Sequence, residues 1–442
     1  MKTKLLNYWE IVRSSYWFLP TLMTGLAIGL SFLTVALDHF VVSERPELLV
    51  WVFTGGADGA RTLLSTLAGS MITMASVTFS ITIVALSLAS SQFGSRLLTN
   101  FMRDTGNQVV LGTFIATFVY SLLVLRTVRS VDEITFVPHI SVTVAVFLAL
   151  ASMGLFIYFI HHVSISIQVQ NVIASVEREL NTAIERLFPD KKSDLAFEYE
   201  LRNEDDVPED FDQAAEPVTA MHSGYLQSID NEGLMNLAIE HDLLLRLKHR
   251  PGTFIASGSD LVEVWPNECF EEGLSEKISD AFILGAQRLR LQDVEFAIDQ
   301  LVEIALRALS PGINDPFSAM ACVDRLGVAL AHLAERQIPS GYRYDDENTL
   351  RLVADSVTFE GLVETSFNQI RQYGRSSVAV TIRLLETIAV IAAHTHTQTE
   401  REALRQQAKM IKQGSDEAIP EEHDRQDVEE SYQIVDRILE QS

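Results

Sequence analysis

Between Thr62 and Ser95 the chain carries no charged residue. Wound as an α-helix at about 1.5 Å per residue, that run would exceed ~50 Å, against a bilayer hydrocarbon core near 30 Å. Such a segment belongs in a membrane, where it has to tilt, break or project. Three other charge-free runs accompany it: Trp17 to Leu37, Val109 to Leu125 and Ile140 to Ile160. The pattern predicts a transmembrane domain over 1–162 with spans at about 17–37, 63–91, 109–125 and 140–160. A cleaved signal peptide does not suit the first run, whose apolar stretch is too long and lacks a small-residue cleavage site.

Charge places the boundary of this domain. From Met1 to Leu187 the 11 Lys/Arg and 11 Asp/Glu cancel, so the whole net charge of −25 falls on residues 188–442. That half reads as water-soluble. Its acidity repels phosphate backbones and so excludes a nucleic-acid partner, while cations and basic proteins are compatible with it. Lys2, Lys4, Arg13, Arg96 and Arg103 fall on one side of the four spans, and Arg45, Arg61, Arg126 and Arg129 on the other. This bias, with the weight of the N-terminal segment, places both termini in the cytoplasm. The opening MKTKLLNYWEIVR suits a helix lying in the interface.

The second span is patterned. Thr66, Gly69, Thr73, Ser76, Ser80, Ser87, Ser90 and Gly94 recur at steps of three, four or seven and form one small, hydroxyl-bearing stripe on an otherwise apolar helix. One reading is close packing, because small residues let helices approach and hydroxyls bond across the interface or back to their own backbone. In the other, copies of the helix surround a water-filled path lined by Thr73, Ser76, Ser80, Ser87 and Ser90, with Ile83 a hydrophobic constriction. No intramembrane carboxylate, Lys or Arg is evident to mark an ion or proton site.

Val169, Ile173, Val176, Leu180, Ile184 and Leu187 have near-heptad spacing, so the fourth helix is expected to continue as an amphipathic stalk over 163–187. His161 and His162, at its start, read as solvated interfacial side chains. Residues 188–217, with the run NEDDVPEDFD, read as an acidic linker. Residues 218–268 read as a small β module punctuated by Pro251-Gly252 and Gly258. About 45 residues of that module resemble half of a biotinyl/lipoyl-type hammerhead barrel. Lys248 lies within LLLRLKHR rather than on the tight turn that a carrier lysine needs, so no carrier role is implied.

From residue 269 onward the apolar period is helical. Ser376 to Ala393 comes nearest to another span, but Arg383 and Glu386 argue against it. The expected fold class is therefore an α-helical integral membrane protein, with a four-helix transmembrane bundle and a soluble α+β domain. In that domain the β module precedes a helical bundle over 269–442.

Cys269 and Cys322 are lone and far apart, and His394 and His396 would sit about 200° apart on a helix, so neither pair suggests a metal site. In SPGINDPF, Pro311-Gly312 stops one helix, Asp315 can cap the next and Pro316 takes its first position. With no nucleophile and base nearby, Pro311, Asn314, Asp315 and Pro316 read as a structural elbow.

SVTFSITIVALSLASSQFGSRLLTNFMRD, QVVLGTFIATFVYSLLVL and ALSPGINDPFSAM together resemble a bacterial family of predicted membrane proteins catalogued as a domain of unknown function, family twenty-two fifty-four. The resemblance covers nearly the whole chain and implies a bacterial inner-membrane location and the same two-part layout. It carries no catalytic residues. A P-loop, GxSxG, HExxH or dinucleotide fingerprint is lacking, so neither an enzyme nor a cofactor is expected. Two functions stay open: a homo-oligomeric channel or transport protein for ions or small solutes, and a membrane-anchored binding or sensory module whose soluble domain recruits a protein partner.

Overall fold

The computed structural model describes residues 15–44, 53, 55–94, 104–131, 134–191, 206–267, 273–289 and 291–441. The N-terminal interface segment, Cys269 and much of the acidic linker lie outside them. The chain is mostly helical and divides into two compact units, Met1–Gln168 and Val169–Ser442.

The first unit contains α1 (Phe18–Glu44), α2 (Ala57–Phe93), α3 (Thr105–Thr127), a hairpin of β1 (Arg129–Val131) and β2 (Ile134–Phe136), and α4 (His139–Ser166). The central helix is α3, which packs on α1, α2 and α4. Half of its apolar window is buried, against 22% for each of the other three. Gly112 lets α1 approach it closely: a Cβ there would sit 2.7 Å from Met23 Sδ and 3.1 Å from Pro20 Cα. Tyr120 Oη meets Thr34 Oγ1 at 2.9 Å and donates to the Ser141 carbonyl at 3.1 Å, tying α3 to α1 and α4.

The second unit opens with α5 (Val169–Leu187), followed by α6 (Phe211–Ala214), β3 (Glu216–Thr219), β4 (Gly224–Ile229), α7 (Asn231–Glu240), β5 (Leu244–Leu247), β6 (Phe254–Ile255) and β7 (Asp260–Trp265). Next come α8 (Leu274–Ser279), β8 (Phe282–Gly285), α9 (Glu295–Ala308), α10 (Pro316–Ala334), β9 (Tyr342–Tyr344) and β10 (Leu350–Val353). The chain ends with α11 (Phe359–Gly374), α12 (Val378–Ala392), α13 (Gln398–Ala418) and α14 (Glu422–Gln441).

Two expectations need correction here. The fourth helix does not run on as a stalk, because α4 stops at a cap on Ile167 and α5 starts afresh at Val169. The seam of α5 packs on α9 and α10 of its own unit, burying Ile173, Val176, Leu180 and Ile184. Nor is the β region a self-contained half barrel. One sheet has the order β3-β7-β5-β10-β9 and the other β6-β4-β8. Thus β8, β9 and β10 join from beyond residue 268, and β10 pairs with β5 in parallel. Both sheets share a core with α7 and α8, in which Leu226, Leu234, Leu245, Val262, Ile278 and Leu352 are buried.

Among the described residues five helices are long and apolar enough to cross a membrane: α1 to α4, and α10, which has the lowest mean hydropathy at 1.3. The stretch Ser376 to Ala393 is not among them.

Asp345 holds the β9–β10 hairpin closed. Its side chain is only 5% exposed and accepts from Arg351 Nε at 2.7 Å, with Thr349 and Glu347 backbone N–H groups donating as well. The Arg351 bond and those backbone donors hold its pKa below the usual carboxylate value. A depressed folded pKa adds stability above the unfolded value near ~3.9 that is lost as pH falls through the folded one. Asp345→Asn is therefore expected to unfold more easily than the parent at neutral pH. The gap should close in acid, as followed by thermal unfolding of the detergent-solubilised protein.

Candidate functional site on the long apolar helix

The 37-residue α2 runs unbroken from a cap at Gly56 to Gly94. Its packed face holds Ala60, Leu64, Ala68, Met71, Ala75, Thr78, Thr82, Ala85, Ala89 and Phe93. At about 100° per residue the hydroxyl stripe is centred opposite Ala60, Met71, Thr78 and Ala89. Thr73, Ser76, Ser80, Ile83 and Ser87 are accordingly exposed, and Ser90 at the margin is half-buried. From Thr66 to Ser87 the stripe therefore does not pack on the described helices of the chain. Its hydroxyls turn back on their own helix: Thr73 donates to Gly69 O at 2.8 Å, Ser76 to Ile72 O at 2.9 Å and Ser80 to Ser76 O at 2.9 Å. Each oxygen keeps lone pairs that can accept from water or from another helix.

The sequence reading overlooked the carboxylates of this unit. Asp38 lies inside α1 and is fully buried. Its Oδ1 accepts from the Ile140 N–H at 2.7 Å, and its Oδ2 from the Ser141 N–H at 2.9 Å and Ser141 Oγ at 2.6 Å. Pro138, the residue preceding α4, supplies no side-chain cap, so Asp38 caps that helix from α1. At the opposite end Asp104 caps α3 through the Gly106 and Asn107 N–H groups and meets His162 Nε2 at 2.7 Å. His162 also stacks on Tyr158, so it is a bonded element of the bundle and not simply a solvated side chain. Since Asp38 is fully bonded to a helix end, it serves as a cap.

In the second unit, Asn314 is left-handed at φ 51°, and the Asp315 N–H returns to Ala308 O at 2.8 Å. Asp315 accepts from Ser318 N at 3.2 Å and Ser318 Oγ at 2.5 Å, Pro316 starts α10, and Pro311 is exposed. Cys322 is buried there, and burial pushes its thiol pKa up. His394 pairs with Glu335 at 2.8 Å; among the described residues no group of three His, Cys, Asp or Glu is placed to hold a metal ion. A cleft of about 150 Å³ lies where Phe188, Arg250, Asp293, Glu295, Ser340 and Ser356 converge. Burial raises the Asp293 pKa there, although Arg288 bonds it through Nε at 2.8 Å.

Apolar helices closed by buried polar caps, joined in sequence to an acidic, folded α+β unit, define a membrane protein with several apolar helices. The chain belongs to the family described as Predicted membrane protein (DUF2254), whose sequence model matches residues 13–390. Uncharacterized proteins of Mycobacterium bovis and Mycobacterium tuberculosis are each 32% identical to it over 425 residues, covering 94% of this chain and 79% of theirs. No solved structure matches the chain.

Removing the carboxylate in Asp38→Ala strands two buried N–H groups at the start of α4. The expected loss is about 2 kcal/mol or more, read as a shifted midpoint in denaturing mixed micelles. Asp38→Asn, which retains one acceptor oxygen, should fall between the two.

Proposed function

We propose that copies of this chain assemble about α2 and that its hydroxyl edge lines a water-filled path for ions or small solutes. One contrast supports this reading. The outward faces of α1 and α4 carry large apolar side chains, with Leu26 67%, Phe32 69%, Phe147 66% and Ile157 66% exposed, as lipid contact requires. The outward surface of α2 instead carries a stripe of Thr66, Gly69, Ser70, Thr73, Ser76 and Ser80, flanked by the exposed Ile72, Val77, Phe79, Val84 and Leu88. A surface made for acyl chains has no use for that substitution, whereas a helix interface or an aqueous wall does.

In this reading α1 to α4 are the four spans, both termini face the cytoplasm of a bacterial cell, and the membrane is the inner one. The α10 helix stays in the soluble unit, an assignment supported by its Arg325, which pairs with Glu177 at 2.8 Å, and its Asp324, 3.6 Å from Arg383. The excess acidity of 188–442 would enrich cations near the mouth. Ile83, half exposed in the middle of the edge, would form the narrowest apolar ring. An anchored binding module is the second reading, and the cleft beside Arg250 and Glu295 is the observation that favours it.

Single cysteines provide the test. In native membranes Ser76→Cys and Ser80→Cys should react with a small charged maleimide, and Val84→Cys and Ala75→Cys should not. Crosslinking should give a closed ring of copies. In liposomes Ser80→Trp should cut solute flux at least roughly tenfold if the edge is the conduit wall. A strict monomer, or labelling confined to the helix ends, would end the channel reading.

A further inference from the structure

At the end of the first unit where α1 and α3 finish, a cavity of about 560 Å³ opens between them. Its wall is apolar, formed by Phe32 and Val35 of α1 and Leu123 of α3. Its rim is basic, formed by Arg126 in the last turn of α3, Arg129 of β1 and His39 of α1. The hairpin closes one side: Arg129 lies opposite Phe136 in the β1–β2 register, and Phe136 stacks on the His39 ring with centroids 4.1 Å apart. Among the described residues, no carboxylate lies within ion-pair distance of Arg126 or Arg129.

We infer that this cavity holds the phosphate-bearing headgroup and upper acyl chain of an anionic phospholipid. The position supports that occupant. Arg126 directly follows the charge-free run Val109 to Leu125, so its guanidinium falls where hydrocarbon gives way to headgroups. The apolar wall continues along α1 through the exposed Phe32 and Ile28, a surface that suits an acyl chain and that a free anion could not use. Two guanidiniums at one rim match phosphate oxygens, and basic pockets between membrane helices take anionic headgroups. This inference does not depend on the channel reading, because it uses neither α2 nor an assembly.

The test is lipid retention by the full-length protein in detergent, counted by native mass spectrometry after incubation with phosphatidylglycerol, with phosphatidylcholine, or with inorganic phosphate and phosphatidylglycerol together. Phosphatidylglycerol should be retained preferentially and should survive the phosphate challenge. Arg126→Gln with Arg129→Gln should weaken it by about tenfold or more. Val35→Trp, which fills the wall without changing a charge, should weaken it as well, and Arg383→Gln in the other unit should not. Near-UV circular dichroism checks that each variant keeps its fold. Equal retention of both lipids, displacement by inorganic phosphate, or indifference to both the double variant and Val35→Trp would each overturn the inference.

Discussion

Hydrocarbon offers the end of a helix nothing to bond, so the free N–H groups there have to be met by protein. The first unit meets this requirement with two carboxylates from neighbouring segments. Asp38 reaches from α1 to the first N–H groups of α4, and Asp104 closes α3 while also pairing with His162 at the far end of α4. Because one bond set lies at each end, α1, α3 and α4 are fixed in length and in rotation. Tyr120, bonded to Thr34 and to the Ser141 carbonyl, reinforces the end closed by Asp38. The remaining helix, α2, is held by its alanine-rich face, where small side chains let it settle against α3 and α4.

Several of these features could be read from residue order. The several apolar helices, the acidity of the later half, the hydroxyl stripe and the cap at Asp315 all follow from local composition and spacing, which a sequence displays directly. The trans cap could not be read in this way: Asp38 and Ser141 are about a hundred residues apart, and in sequence Asp38 looks like the charge that ends a span. The β region misled for a related reason. Strands β8 and β10 are short and lie among helices, and only the tertiary pairings of β8 with β4 and of β10 with β5 show that the two sheets need them. The stalk was misjudged because the near-heptad seam from Val169 does not mark the break before it, where α4 ends at the Ile167 cap; which surface covers the seam stayed open, and the cover is α9 and α10.

The polar groups of the first unit thus fall into two sets with different physical status. Some of those turned inward are shared between helices, as in the Thr117 to Ser152 contact at 3.2 Å and the Tyr120 to Thr34 contact at 2.9 Å, and these set geometry. On the outer edge of α2, Thr73, Ser76 and Ser80 bond to their own backbone, which makes exposure to lipid tolerable without making it favourable. The cost of leaving that edge in lipid is therefore modest per residue, and the inducement to cover it comes from its breadth and from the close approach that Gly69 and the serines allow.

Helix length narrows which residues matter. About 20 residues of α-helix cross the hydrocarbon, and α2 has 37. Asp58 and Arg61 belong outside the apolar layer, so the immersed stretch begins no earlier than Thr62 and ends no later than Phe93. Every placement of about 20 residues within those limits includes Met74 to Ile81. In the four-span reading Ser76 and Ser80 are therefore at membrane depth whatever tilt or projection α2 adopts, whereas Thr66 and Ser90 can be drawn to a headgroup region by a shift along the axis. The environment of those two serines separates a lipid-facing helix from an assembled one, because no displacement of α2 can account for water reaching them.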